Sequence, residues 1–341
     1  MPDFTRVPEQ DVVISSRVRL SRNFDDLPFA PKISEEYAAE VVERTAMAVF
    51  NGRMGADFTL LKMSDMEQDA RSRLVEHHFI SYDLLKYVSK SAAMVSAKGN
   101  ATVMCNEEDH VRFQGLLPGL DLSRAAELAF LLEEDVGSKH PFAFDSQWGY
   151  LTASPANTGT GMRCSLILHL PALTQGGQMG AIMQAVGKVG RTIRGLYSED
   201  SEARGHLYQL SNQATLGHSE EDIVRSLESA AAQIIGHERA MREMAEKKDM
   251  MALQDKLMRS WGELMYARLL TTKEFMQRYS DIRYAASMGY LHASLPALDC
   301  LMMDVQPGSL GVRAGKLIGD RESEILRAKV AREELKKLVT E

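Results

Sequence analysis

A chain of 341 residues, 45% hydrophobic and 26% charged, can bury a sizeable core, and its length predicts two domains. Its net charge of −7 offers no overall field for nucleic acid, and no apolar run approaches the ~18 residues of a membrane span. Cys105, Cys164 and Cys300 are too scattered for a disulfide framework or a zinc site, and the opening MPDFTRVPEQD lacks a signal-peptide pattern, so a cytoplasmic chain without nucleic-acid or membrane partners is expected.

Asp11–Leu20, DVVISSRVRL, predicts a strand with Ser15, Arg17 and Arg19 on one face. Two arginines there mean either solvent or an anion site. Ser34 caps a predicted helix over Glu35–Phe50, with Tyr37, Val41, Val42, Thr45 and Val49 as its apolar stripe. A second helix is predicted over Ser64–His77, followed by His78. Ala92–Ala97 and Ala101–Cys105, separated by Gly99-Asn100, predict a hairpin. The run NEEDHVRFQ, Asn106–Gln114, then sets three carboxylates, a histidine and an arginine among core-type residues. Another helix is predicted over Ser123–Leu132.

Trp148–Leu170, WGYLTASPANTGTGMRCSLILHL, reads as strand, glycine-containing loop, strand. Such a loop lets backbone N–H groups approach an anion, and Arg163 stands where the chain leaves it. Gly180–Ile193 predicts an amphipathic helix, Arg194–Glu199 a turn and Leu207–Ser211 a strand. After Gly217 the composition becomes helix-forming, opening on an imperfect capping box at Ser219–Asp222. Charges at 242–249 mark a solvated stretch, and helix breaks are expected at Pro296 and Pro307-Gly308. The whole predicts an α+β fold: an antiparallel sheet flanked by helices over residues 1–237, then a helical domain over 238–341. No P-loop, complete Gly-x-Gly-x-x-Gly or His-Glu-x-x-His motif is present.

SSRVRLSRN, NEEDHVR, the Trp148–Leu170 stretch and RGLYSEDSE follow one another in the order seen in the guanidino (phosphagen) kinases, and the chain resembles that family. The family's loop typically reads aromatic-Gly-Tyr-Leu-Thr-x-Cys-Pro-x-Asn-x-Gly-Thr-x-Arg-Ala-Ser; Ser154 stands here in place of its cysteine. The likeness is greatest to the bacterial protein-arginine kinase branch, and YQLSNQATLGHSEEDIVRSLE carries it into the second part. Small-molecule members of the family carry a whole helical domain ahead of the SSRVR strand, whereas Ser15 lies near the start of this sequence.

The resemblance implies ATP and Mg2+, with nucleotide contacts at Ser15, Arg17, Arg19, His78, Arg112, Arg163 and Arg194. Phosphoryl transfer needs such forks, because charge spreads over the equatorial oxygens and arginine stays protonated. It also implies Glu108 and Glu199 as the carboxylates that align a guanidinium and accept its proton, and Ser154 at a third catalytic position. Glu107 and Asp109 are implied as orienting groups or metal-shell supports. The family branch carries Arg-Asp-x-x-Arg-Ala in its tail as a phosphoarginine pocket. Ser323–Ala328 keeps only the second half, so Arg327 is either part of a weakened allosteric pocket or an exposed helix charge. The implied activity is phosphorylation of protein arginines that marks proteins for degradation, by a homodimer working with an AAA+ protease and an activator protein. A kinase of free arginine or another small guanidine, and a weakened kinase serving as a binding module, stay open as alternatives.

Overall fold

The computed structural model describes residues 7–29, 33–196 and 203–338. Among them eight strands form one sheet, and every neighbouring pair is antiparallel. Their spatial order is β2 (Phe58–Lys62), β3 (Ala92–Ser96), β4 (Ala101–Cys105), β5 (Val111–Pro118), β1 (Val13–Arg22), β8 (Met162–His169), β10 (Leu207–Asn212) and β9 (Arg191–Gly195). A separate short ribbon pairs β6 (Phe144–Asp145) with β7 (Gly149–Tyr150). Side chains alternate along each strand, so one sheet face gathers the buried Val18, Leu20, Val103, Phe113, Cys164 and Leu166. Helices α1 (Glu35–Phe50), α3 (Leu122–Gly137) and α6 (Glu220–Lys248) cover that face and complete the larger core. The expected antiparallel sheet with flanking helices is therefore present.

Several elements differ from their sequence expectation for local reasons. The Ser34 hydroxyl caps α1 by accepting the Tyr37 N–H at 3.2 Å, as expected. The buried stripe of α1 begins at Ala38 and continues through Val41, Thr45 and Val49, which leaves Tyr37 exposed one position outside it. The helix expected over Ser64–His77 is a 3-10 turn at Met63–Asp65 followed by α2 (Gln68–Glu76), and β2 ahead of it was not foreseen. The strand expected from Trp148 keeps only β7, because Asp145 Oδ1 takes the Gln147 and Trp148 N–H groups at 2.8 and 3.0 Å and closes a tight turn. The helix expected over Gly180–Ile193 is α5 (Met179–Lys188). It ends before Gly190, whose φ of +70° reverses the chain into β9, so Ile193 and Arg194 are strand residues rather than a helix end and a turn.

The remainder is helical. Asp249 ends α6 and caps α7 (Met250–Tyr266), accepting the Ala252 N–H at 2.9 Å. Helices α8 (Thr272–Ser287), α9 (Leu295–Asp304), α10 (Pro307–Ala314) and α11 (Asp320–Leu338) follow. Pro296 and Pro307 occupy the first turns of α9 and α10, where the absent N–H is no loss; they start helices rather than break them. A second core forms here around Phe275, Tyr279, Leu298, Leu310 and Ala331. Residue 238 lies inside the unbroken α6, and the buried Glu238 carboxylate accepts N–H groups of Ala172 and Leu173 at the start of α4 (Pro171–Gln175), at 3.1 and 2.9 Å.

Polar contacts, among them those of Arg283 and Glu76, join the helical part to the rest of the molecule. Arg283, fully buried, donates to Asp299 Oδ1 at 2.7 Å and to the carbonyls of Asp11 and Gln10 at 3.0 and 2.8 Å. Glu76, at the end of α2, accepts the N–H groups of Gly308 and Ser309 at 2.7 and 2.8 Å and so caps α10 from the other half of the molecule. None of the described helices is long and apolar enough to cross a membrane.

Candidate active site

On the face opposite the larger core, residues 63–88 roof β3 and β4 through Met63, Ile80, Leu84, Ala93 and Met104. Beyond that roof the strands carry polar side chains. Arg19 on β1 pairs across to Gln114 on β5 and to Arg163 on β8. Ser21 pairs with Arg112, Arg17 with Ser165, and Arg194 on β9 with Gln209 on β10. Directly paired residues share a face, so Ser15, Arg17, Arg19, Arg112, Arg163 and Arg194 all project to the same side. The sequence-predicted basic residues are thus gathered from four strands, β1, β5, β8 and β9, that are distant in the chain.

Like charges directly opposite one another destabilise a sheet. Only part of this cluster is compensated internally. Arg17 donates to Ser165 Oγ at 3.2 Å and to Gln209 Oε1 at 3.4 Å. Arg112 donates to Ser21 Oγ at 3.3 Å, forms an ion pair with Glu107, and lies 3.6 Å from Glu108. By contrast, Nε of Arg19 and Nε of Arg163 are buried with no hydrogen-bond partner among the described residues. Burial, then Arg17 and Arg112, push Arg19 well below the usual guanidinium range, against the pull of Glu107. Burial, then Arg194 and Arg112, also lower Arg163. Buried donors and crowded cations together describe a site complementary to a polyanion.

His78 stands at the edge of the roof, where its carbonyl accepts from Gln114 Nε2 at 2.9 Å. Burial and the nearby Arg17 drive its pKa down to about 3, so the ring is neutral at physiological pH.

The carboxylates sit at one end of this face, in the turn between β4 and β5. The Asn106 N–H donates to the His110 carbonyl at 2.8 Å to close it, and Asn106 adopts a φ of +59°. The neighbours Glu107 and Glu108 then diverge. Glu107 is 1% exposed, ion-paired with Arg112 and hydrogen-bonded by the Ser81 hydroxyl. The Glu108 side chain is 46% exposed and, among the described residues, accepts only a 3.3 Å bond from Asn157 Nδ2 besides the Arg112 contact, so it is the carboxylate open to an incoming group. Asp109 is buried, and its Oδ1 accepts from Asn23 Nδ2 at 2.8 Å and from the Ala153 N–H at 2.7 Å. His110 is structural: Nδ1 accepts the Phe24 N–H at 3.0 Å, which leaves Nε2 to donate to the Pro28 carbonyl at 2.9 Å.

Ser154 is brought to Glu108 by a tight turn. Its carbonyl accepts from Thr152 Oγ1 at 2.7 Å and from the Asn157 N–H at 2.9 Å, while Asn157 reaches Glu108. Thr215 braces the far side, its hydroxyl donating to the Thr158 carbonyl at 2.7 Å and to the Ala156 carbonyl at 3.1 Å. Gly159 permits this approach: at φ +111° a Cβ would fall 2.5 Å from the Thr215 carbonyl oxygen. The buried Arg22 fastens the loop to β1, donating to the Ser21 and Thr160 carbonyls at 2.8 and 2.9 Å beneath the Tyr150 ring.

Glu199 lies outside the described residues. Arg327 is buried rather than exposed. It donates to the carbonyls of Val305 and Leu270 at 3.0 and 2.8 Å and to Ser323 Oγ at 3.1 Å, which overturns its reading as an exposed helix charge. Asn23, Ser81, Ser165, Gln209 and Thr215 were not singled out from sequence. Asn23 ends the quoted run SSRVRLSRN, but nothing local marks it, because its partners are 86 to 128 residues away.

Known proteins resemble this chain over most of its length. The family model "ATP:guanido phosphotransferase, C-terminal catalytic domain" matches residues 40–241, and "Protein-arginine kinase McsB C-terminal domain" matches 250–341. The protein-arginine kinase of Caldanaerobacter subterraneus subsp. tengcongensis is 38% identical over 331 residues, spanning 96% of this chain and 98% of that protein. That of Geobacillus sp. (strain WCH70) is 41% identical over 333 residues, spanning 96% and 92%. Among solved structures, the substrate-free duplicated taurocyamine kinase from Schistosoma mansoni superposes with a TM-score of 0.57 at 26% identity, covering 67% of this chain and 33% of that one. A lombricine kinase crystal structure gives a TM-score of 0.59 at 22% identity, with 70% of each chain covered, a likeness of fold alone.

Proposed function

This chain belongs to the ATP:guanido phosphotransferase family, and from that premise we propose that it is a protein-arginine kinase, moving the γ-phosphoryl group of ATP to arginine side chains of proteins. The observation that carries the reading is the arginine face with its unpartnered buried Nε donors, ending at the half-exposed Glu108. In this proposal Arg17, Arg19, Arg112, Arg163 and Arg194 hold the phosphate oxygens, with Ser15 and His78 as further nucleotide contacts. His78, held neutral, adds no charge there.

Glu108 and Glu199 align the acceptor guanidinium, whose proton is held with a pKa above about 12. As the guanidino nitrogen forms its bond to phosphorus and the bond to the ADP oxygen breaks, a carboxylate accepts the departing proton. Ser154 contributes a hydroxyl beside the guanidinium. Because the phosphoryl group passes through a loose transition state, positioning and fixed positive charge supply most of the acceleration. Mg2+ would enter with the nucleotide phosphates and neutralise developing charge. No three His, Cys, Asp or Glu side chains gather into a metal cage among the described residues.

The helical part from residue 238 onward is proposed to dimerise and to dock substrates. The proposed setting is cytoplasmic quality control, with an AAA+ protease and an activator protein as partners and with Arg327 lining a weakened phosphoarginine pocket. One observation, Ser154 in place of the family cysteine, favours a second reading as a weakened kinase that chiefly binds. Incubation with MgATP and casein decides between them. Acid-labile phosphate mapped to arginine by mass spectrometry is expected from the wild type and absent from Glu108→Gln. Casein left unlabelled by the wild type overturns the kinase reading.

A further inference from the structure

Asn23 stands where three separate pieces of chain converge on the candidate site. Its Nδ2 donates to Asp109 Oδ1 at 2.8 Å and to the Leu151 carbonyl at 3.2 Å. Its Oδ1 accepts the His110 N–H at 2.9 Å, and its own carbonyl accepts the Ala143 N–H at 2.8 Å. Asp109 Oδ1 passes the connection on to the Ala153 N–H at 2.7 Å, one residue before Ser154. Both side chains are buried, at 0% and 1% exposure, so neither can meet substrate from the surface as they stand. Asp109 Oδ2 has no hydrogen-bond partner among the described residues. The carboxylate therefore acts through Oδ1.

We infer that Asn23 and Asp109 are positioning residues for the acceptor side of the reaction: together they fix the 151–157 turn against the Glu107–His110 turn, and so set the spacing between Ser154 and Glu108. The inference rests on the proposed role of Glu108 as the acceptor carboxylate. The reason is geometric. Ser154 and Glu108 sit on two loops joined directly, among the described residues, by a long bond from Asn157 to Glu108 at 3.3 Å and by the 2.7 Å bond from the Ala153 N–H to Asp109 Oδ1. Both loops are also tied to the end of β1 through Asn23, one at Asp109 and His110 and the other at the Leu151 carbonyl. The nucleotide face is set independently by the ladders of β1, β5, β8, β10 and β9. Loosening the Asn23–Asp109 tie should thus let the two acceptor loops drift while the arginines stay in register. An acceptor guanidinium spans only a few ångströms, and a site about 1 Å out of place can lose a hundredfold in rate.

The same geometry separates position from charge. Asp109→Asn keeps an oxygen at Oδ1 for both Asn23 and Ala153, and its new amide falls where Oδ2 makes no bond. Asp109→Ala and Asn23→Ala remove the tie.

The test combines steady-state kinetics of casein phosphorylation with hydrogen exchange of the peptide covering residues 151–158. Asp109→Ala and Asn23→Ala are expected to raise the acceptor KM about tenfold and speed exchange of that peptide about tenfold, with the ATP KM within twofold of the wild type. Asp109→Asn is expected to stay within about threefold on every readout. Exchange that is unchanged in folded Asn23→Ala overturns the inference. So does an Asp109→Asn protein as impaired as Asp109→Ala, because charge rather than position would then be at work. Should Asn23→Ala fail to fold, the Asp109→Asn and Asp109→Ala pair gives the same decision. Exchange needs no catalysis, so a wild type that labels no arginine counts against the kinase reading alone.

Discussion

Glu107 and Glu108 are adjacent in sequence and opposite in circumstance. The strand ladder that delivers Arg112 also aims Glu107 inward at it, whereas Glu108 faces solvent and the 153–157 turn. Glu108→Gln is therefore expected to lower turnover by about 100-fold, roughly 3 kcal/mol of barrier, while ATP affinity holds within about twofold. Glu107→Gln should act the other way round, weakening ATP binding, because it strips a buried guanidinium of its counter-charge. Measured kcat and ATP Kd for the two variants check the assignment, and a Glu108→Gln protein with normal turnover would remove Glu108 from the acceptor site. Ser154→Cys is a complementary gain-of-function case. Placed beside the acceptor cation, a thiolate would add charge that a hydroxyl lacks near neutral pH. A tenfold rise in kcat, about 1.4 kcal/mol, is expected above pH 8, fading toward pH 6 as the thiol protonates. A flat pH profile at parental activity would show the pocket rebuilt around serine. These residues were legible because alternation and motif order mark them in the chain. Asn23 and the burial of Arg327 were not, since both depend on carbonyls and carboxylates contributed from other elements.

The same distinction holds for elements. The helix over Glu35–Phe50 matched to the residue because its start is marked by Ser34 and its stripe by local spacing. The element after it in the sheet, β2, is five residues long with no cap or alternation of its own; pairing with β3 makes it a strand. The helical spacing of Ile182, Ala185, Val186 and Val189 continues by chance to Ile193, which hid β9. What ends the helix is the left-handed Gly190, a backbone requirement rather than a hydrophobic one. Nothing lies within 4 Å of a Cβ built at Gly190, so Gly190→Ala tests that requirement without a packing clash. It is expected to destabilise the protein by about 1–2 kcal/mol from the positive φ alone. Gly180, inside α5 and equally unobstructed, should give the opposite sign: Gly180→Ala stabilises by roughly 0.5–1 kcal/mol. Urea unfolding of both variants checks the pair. Since β9 carries Arg194, Gly190→Ala should also weaken ATP binding, and Gly180→Ala should not.

At the scale of the molecule, the sheet and the helical part are joined through buried polar groups that sequence patterning cannot reveal. Arg283 lies 3.4 Å from His169 Nδ1, so that nitrogen accepts, and Nε2 carries the hydrogen toward Ser280 Oγ at 2.8 Å. The Ser280 hydroxyl then donates to His206 Nδ1 at 2.8 Å. This relay ties the end of β8 and the start of β10 to α8, and it requires His169 to be neutral. Burial, then Arg283 and Arg242, hold the His169 pKa well below its usual value, and burial lowers His206 as well. The unfolded chain binds these protons near pH 6.5, and the folded chain resists them. A depressed folded pKa means the stabilising contribution is complete above about pH 6.5 and is lost as pH falls below it, by up to ~1.4 kcal/mol per pH unit for each such histidine. His78, lowered to about 3 by burial beside Arg17, adds to the same slope. Urea unfolding at pH 7.5, 6.5, 5.5 and 4.5 should therefore show stability falling steeply below 6.5. His169→Gln can still donate to Ser280 but has no titrating ring. It is expected to be about 1 kcal/mol less stable at pH 7.5, from the lost Arg283 contact, and to show a slope shallower by about one proton. An unchanged slope in His169→Gln would locate the acid sensitivity elsewhere than the joint between the two halves.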